Sequence, residues 1–256
     1  MKTKYLIRSV SPCPIDQVYL IYDPVLDQRL TATELENAKS RWNEINRDRI
    51  TANKPPLQDC PLFLPGHEIR LENRIDIPCG RTSYMSTIVR SAFCPDWNSV
   101  CTGAGLSIVP VCADGMILIG RRSGIVNEGK HLFHVAAGHA HPRPDFTSRP
   151  DKLTGAVLQE LEEEMGVRPG DIEKTLFLGI GLNRFTAKTE FLTCVVLKED
   201  ARYYTRQWMA AIRCQKQPEF EEMSTLEKII GADSFEVHRN RFTVACQMAL
   251  EAHQRG

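Results

Sequence analysis

The sequence predicts an α/β sandwich with a mixed sheet, and three observations carry that prediction. Short apolar runs bounded by turn residues recur after Gly105, in LSIVPV, MILIG, HLFHVAAG, KTLFLGIG and TEFLTCVVL. A helix-length segment from Thr154 to Met165 interrupts them with its own periodicity, and Asp233 to His253 repeats that pattern. The resulting order of strand, hairpin, strand, helix, strands, helix is that of layered helices and sheet.

The first hundred residues read as a smaller α+β domain, serving substrate recognition or an interface. Val18 to Ile21 is strand-like, and Ala32 to Arg49 is a charged helical pattern. A proline-rich break from Lys54 to Pro65 follows. HEIRLENRIDI then alternates as a strand or hairpin, and RTSYMSTIVRSA reads as a short helix. Turn formers gather in CPDWNSVCTGAG, which sets a boundary near residue 100 and a second domain over 101–256. In that domain Asp114-Gly115 suits a tight turn between two paired strands. HLFHVAAGHAHP gives a strand ending at Gly138, and a polar loop runs from His139 to Lys152. The helix after it takes Thr154 as its N-cap and Gly166 as the glycine that stops it.

Lysine plus arginine equals aspartate plus glutamate at 32 each, so no global field selects nucleic acid or an anionic membrane as partner. Any charge-driven function is local, and the expected partner is a small molecule acting on a monomer or homodimer. Arg8 and Pro12 cut the amino-terminal apolar patch short of a signal peptide, and no run approaches the roughly 18 apolar residues of a spanning helix. Nine scattered cysteines form no CxxC pair and read as reduced thiols, which predicts a cytoplasmic protein.

Local charge concentrates in LQELEEEMGV, residues 158–167. On an α-helix Val157, Leu158, Leu161 and Met165 share a core-facing arc, and Glu160, Glu163 and Glu164 share the arc beside it. Like charges at these spacings repel by a few tenths of a kcal/mol per pair on an isolated helix. Acidic runs are usually solvated faces. A hard dication removes the repulsion by taking carboxylate oxygens while leaving positions for water and phosphate.

The run QELEEEMGV, after an upstream glycine, resembles the signature helix of the Nudix hydrolases, Arg-Glu-apolar-x-Glu-Glu-x-Gly-apolar. Glu160, Leu161, Glu163, Glu164, Gly166 and Val167 match it, and Gln159 stands where the family has arginine. The opening glycine, Gly138, is separated from the helix by a longer loop than usual, and no glutamate sits at the usual place between them. WNEINRDRI, FLPGHEIRL, GRTSYM, GHAHP, VLQE and LGIGLNRFTAKTEF extend the resemblance to the animal branch that hydrolyses UDP-glucose and UDP-galactose. The resemblance implies a Nudix-type α/β/α sandwich with a mixed sheet.

It further implies an Mg2+-dependent pyrophosphohydrolase giving UMP and a sugar 1-phosphate, with Mn2+ as a substitute metal. Glu160 and Glu164 are then the first metal ligands. Glu163 is a third ligand or the acceptor of the water's proton, and Glu190 is a second candidate base. Tyr84, Arg121, Arg122, Asn183 and Arg184 are candidate substrate contacts; Tyr84 reads equally as a core aromatic, and the arginine pair as a solvated strand end. His139 and His141 read as polar loop residues. Another nucleoside diphosphate derivative as substrate, or a catalytically silent nucleotide-binding module, are the alternative functions, because loops select the substrate on a shared fold.

Overall fold

The chain folds around three sheets in a computed structural model that describes residues 5–28, 30–66, 69–71, 74–93, 102–126, 129–183, 188–214 and 218–255. In chain order the first part contains β1 (Tyr5–Pro14), β2 (Val18–Tyr22), α1 (Ala32–Thr51), β3 (Pro61–Pro65), β4 (Arg70–Leu71), β5 (Ile75–Ser83) and α2 (Tyr84–Phe93). Strands β6 (Thr102–Val111), β7 (Leu118–Arg122), β8 (Phe133–His134), β9 (Ala136–His139) and β10 (Asp151–Lys152) lead into α3 (Leu153–Glu160). The remainder is β11 (Ile172–Asn183), β12 (Lys188–Leu197), α4 (Ala201–Cys214), β13 (Phe220–Thr225), α5 (Leu226–Ile230), α6 (Phe235–His238) and α7 (Val244–Arg255).

The main sheet runs β1-β11-β12-β6-β9 and is mixed, because β12 and β6 are parallel while its other pairs are antiparallel. Strand alternation sends Leu106, Ile108, Phe177, Phe191 and Val195 to one face, where they pack with Leu153, Val157, Leu161 and Met165 and with Tyr204 and Trp208 of α4. Val109, Leu178, Leu192 and Cys194 point to the other face and pack on Cys246, Met248, Ala249 and Leu250 of α7. Helices therefore cover both faces, the α/β/α layering expected from the sequence.

A second sheet runs β10-β2-β5-β3 with β4 on β5; α2 packs against β5 and β6 and α1 packs on α2, while β13-β7-β8 forms a small third sheet. Thr31 caps α1 with a capping box to Glu34, the reason its charged pattern starts cleanly at Ala32. The expected boundary near residue 100 is crossed by two strand pairings. β1 lies along β11, with Tyr5 opposite Asn183, and β10 lies along β2. One core cluster joins Phe63 and Ile77 to Leu106 and Phe191 across it.

Three local expectations are corrected. β6 and β7 share only an isolated bridge, Val111 to Ile117, among the described residues. Both edges of β6 are taken by β12 and β9, so β7 turns away to pair with β13 and β8. Thr154 does not cap α3: the chain enters the helix directly from β10 at Leu153, which is fully buried, and the Thr154 hydroxyl has no partner. The helical pattern from Asp233 to His253 is broken by a 3-10 turn at Arg239–Arg241. Gly166, at φ 67°, does close the glutamate helix in the left-handed region that glycine enters without strain. Cys13, Cys60, Cys79, Cys112, Cys194, Cys214 and Cys246 carry free thiols, and no helix among the described residues is long and apolar enough to cross a membrane.

Candidate active site

The glutamate helix changes pitch where its charges begin. Past Glu160 the backbone widens into a π-turn over Leu161–Met165, in which the Gly166 amide donates to the Leu161 carbonyl. A wider turn advances each residue by less than the 100° of an α-helix, which brings Glu164 back over Glu160 and swings Glu163 outward. The burial agrees: Glu160 is 9% exposed and Glu164 partly buried, whereas Glu163 is exposed. Sequence periodicity placed all three on one arc, so Glu163 is the one the structure moves. The predicted apolar stripe holds at Val157, Leu161 and Met165, all fully buried, while Leu158 is only half-buried.

Glu160 and Glu164 lie against β9, the edge strand of the main sheet, whose outward amides would otherwise face a buried cleft. The His139 amide donates to Glu160 Oε1 at 3.2 Å and the Ala137 amide to Glu164 Oε2 at 2.8 Å. Between them Gly138 lets Glu160 approach: a Cβ there would lie 2.0 to 2.1 Å from the Glu160 carboxyl atoms. Gln159 donates from Nε2 to Glu163 Oε1 at 2.8 Å and holds that carboxylate at the rim. The neutral Gln159 thus orients a glutamate.

A cavity of about 360 Å³ is lined by Ala137, Gly138, His139, His141, Glu160, Glu163, Glu164 and Glu219. Glu219 was not read from the sequence. It precedes β13 in a polar stretch with no periodicity, and it reaches the cavity only because β13 pairs with β7, with Phe220 opposite Arg122. Arg122 Nη2 donates to Glu219 Oε1 at 2.5 Å.

Burial pushes the Glu160 carboxyl up to about 7, helped by Glu163 and Glu219 and opposed by the His139 amide. Burial first, then Glu219 and Glu160, hold Glu164 well above the usual carboxylate range, against the Ala137 amide and Arg122. His139 is kept neutral by burial, with Lys188, His141 and Arg122 adding to it, and burial does the same to His134 beside Arg122 and Lys188. These are hard oxygen donors in a partly dehydrated cleft, with a backbone cradle that a side chain at residue 138 would fill. They fit a divalent cation. Among the described residues no three His, Cys, Asp or Glu side chains are gathered closely enough to hold an ion as they stand.

The carboxylates should leave a signature in stability. A carboxyl whose pKa is raised by folding binds its proton more tightly in the folded state, so stability is lost as pH rises from about 4.5 through the folded value. The two depressed histidines act in the opposite sense, costing stability as pH falls below about 6.5. Between pH 6.5 and 8.5 the metal-free protein is therefore expected to lose thermal stability with rising pH, and MgCl2 to raise Tm by more at pH 8.5 than at 6.5. Thermal melts in EDTA and in Mg2+ check this; a Mg2+ shift independent of pH would refute it.

The other predicted residues divide. Arg122 pairs with Glu219, which lines the cavity, but Arg121 is held by Glu222 at 3.0 Å and Glu221 at 3.3 Å beside a separate cavity with His131, Phe133 and Arg241. Tyr84 opens α2 and sits edge-on to the His139 ring at 5.0 Å and to Trp42 at 6.1 Å, so it is both a core aromatic and a neighbour of the cavity wall. Glu190 is 3% exposed, accepts from Ser107 Oγ at 3.2 Å and pairs with Lys188 Nζ at 3.4 Å. It stands in register with Gly105 and Gly181, and a Cβ on Gly181 would meet Met248 of α7. Glu190 is thus on the α7 face of the sheet, apart from Glu160 and Glu164. Asn183 ends β11 at the same end of the sheet as His139, three strands away. Arg184 lies outside the described residues.

No protein-family model matches the chain. Over 172 residues it is 27% identical to the uridine diphosphate glucose pyrophosphatase NUDT22 of Bos taurus, covering 56% of this chain and 57% of the relative. The chain thus spans little more than half the length of that curated relative. The NUDIX domain of Shewanella oneidensis NrtR, complexed with ADP ribose, is 15% identical, with 66% of this chain and 97% of that one covered and a TM-score of 0.36. The MutT protein of Methanosarcina mazei is 18% identical over 59% of this chain and 93% of its own, at a TM-score of 0.34. A bifunctional NMN adenylyltransferase/ADP ribose pyrophosphatase of Francisella tularensis, with AMP and a Mn ion, gives 11%, 59%, 41% and 0.38 in the same order. The sequence relative is a pyrophosphatase, the reaction class that the LQELEEEMGV resemblance implies.

Proposed function

We propose that the chain is a Nudix hydrolase, an Mg2+-dependent pyrophosphohydrolase that cleaves UDP-glucose or UDP-galactose to UMP and the sugar 1-phosphate. The observation that carries this reading is the pair Glu160 and Glu164, buried side by side on the amides of β9 with Gly138 between them. Two carboxylates kept this close in a dehydrated cleft are costly unless a cation joins them. The hydrolase reading gives them that cation, and the likeness to NUDT22 supports a UDP-sugar as the substrate class.

Glu160 and Glu164 would hold the dication, with Glu219 within the same cavity as a further oxygen donor. A dication held there would supply positive charge against the diphosphate and a Lewis acid for the attacking water. The chain supplies the rest. The Ala137 and His139 amides fix the two carboxylates so that they do not reorganise during reaction. Glu163, steered by Gln159 at the solvent rim, accepts the proton of the attacking water. Arg122, paired with Glu219, would offer its guanidinium to a phosphate oxygen, and Tyr84, edge-on to His139, would offer an aromatic face to the uracil or the sugar. Residues 1–100 contribute that face through α2.

Incubating the full chain with UDP-glucose or UDP-galactose and MgCl2 tests the reading by phosphorus NMR. The diphosphate resonances are expected to be replaced by those of UMP and sugar 1-phosphate, with 18O from labelled water entering UMP. Failure to cleave any of a panel of nucleoside diphosphate derivatives would overturn it.

A further inference from the structure

Arg122 is unusual for an arginine at a strand end: its side chain is only 14% exposed, against 40% for the neighbouring Arg121. Its Nη2 donates to Glu219, yet its Nε is buried without an acceptor. The pair is held in place from both sides. Phe220 is in register with Arg122, the Ser123 amide donates to the Glu219 carbonyl at 2.8 Å, and Ser123 Oγ donates to the Pro218 carbonyl at 2.8 Å. The guanidinium is thereby fixed beside a cavity with four glutamates on its wall, while the helix that supplies three of them offers the neutral Gln159.

A half-satisfied guanidinium next to crowded carboxylates is a placeholder for charge that can be exchanged. A dication entering the cavity competes with Arg122 for Glu219 and repels it. The planar fork released in this way matches a phosphate group, and Nε, which has no acceptor while buried, is then one further donor. We propose that Arg122 is the resident counter-cation of the carboxylate cavity, holding Glu219 while no dication is bound and turning to a substrate phosphate oxygen once dications take the carboxylates. The proposal rests on the hydrolase reading above and assigns Arg122 two successive partners.

The test compares wild type, Arg122→Met and Arg122→Lys in the full chain. Mn2+ binding without substrate is read from the electron paramagnetic resonance of free Mn2+. Losing the internal cation is expected to tighten Mn2+ binding about tenfold in Arg122→Met, the scale of one nearby unit charge, with Arg122→Lys close to wild type. Steady-state kinetics in saturating metal are expected to show KM for UDP-glucose raised about tenfold in Arg122→Met with a smaller change in kcat. Circular dichroism confirms the fold, and Arg122→Gln replaces the methionine variant if that one does not fold. Mn2+ affinity equal to or weaker than wild type in a folded variant overturns the inference alone. A wild-type protein that neither binds Mn2+ nor cleaves a nucleoside diphosphate derivative overturns the hydrolase reading and this inference together.

Discussion

Glu164→Gln is expected to lower kcat for the UDP-sugar by at least about a hundredfold, the scale of removing one group that stabilises developing charge, while leaving the metal-free protein at least as stable as wild type. The two effects have one cause. Burial and the nearby Glu219 and Glu160 hold the Glu164 carboxyl far above its usual range, so its ionised form is a liability in the absence of a cation. Glutamine keeps an oxygen for the Ala137 amide and removes the charge. Steady-state kinetics in Mg2+ and thermal unfolding in EDTA read the two quantities separately. A folded variant with near-normal turnover would remove Glu164 from the metal ligands, and a large loss of stability would contradict the account of its burial.

Gly138→Ala is the second large effect, reached through a residue with no functional group. The added methyl would lie about 2 Å from all three carboxyl atoms of Glu160, well inside contact distance. The clash is with the far end of a flexible side chain, so the strand can remain and the carboxylate must move. A displacement of an ångström or more at a reacting site costs on the order of a hundredfold in rate. The fold is therefore expected to survive, with kcat falling about a hundredfold and metal affinity falling with it. Calorimetric Mg2+ or Mn2+ titration alongside kinetics checks this; unchanged metal affinity would show that Glu160 is not a ligand.

The sequence discloses this site unevenly, and the unevenness has physical causes. Glu160, Glu164, Gly138 and Gly166 are legible because one helix and one strand end encode them locally, in spacing and in a left-handed cap. The outward swing of Glu163 is not legible, since the π-turn depends on how Leu161 and Met165 seat under α4, where Gln207 grips the Gly166 carbonyl. Glu219 and the division of Arg121 from Arg122 depend on β13 pairing with β7, a tertiary choice that leaves no periodicity in QKQPEFEE. The paired β6–β7 hairpin was expected from Asp114-Gly115, but a turn signal specifies a reversal and not which sheet the second strand joins. The α/β/α layering was legible because its strands are apolar on both sides, as a covered sheet requires.

The pairing of β1 with β11 constrains how the molecule can be made and divided. A ribosome must release residues as late as Asn183 before the first strand finds its place, and the Tyr5 hydroxyl then joins Glu251 and Arg239 near the other end of the chain. Cutting near residue 101 would strip the twelve-residue β11 of β1 along one edge and expose a ladder of amides and carbonyls there to intermolecular stacking. The glutamate-bearing half therefore leans for its sheet edge on a segment that, among the described residues, supplies no carboxylate to the cavity.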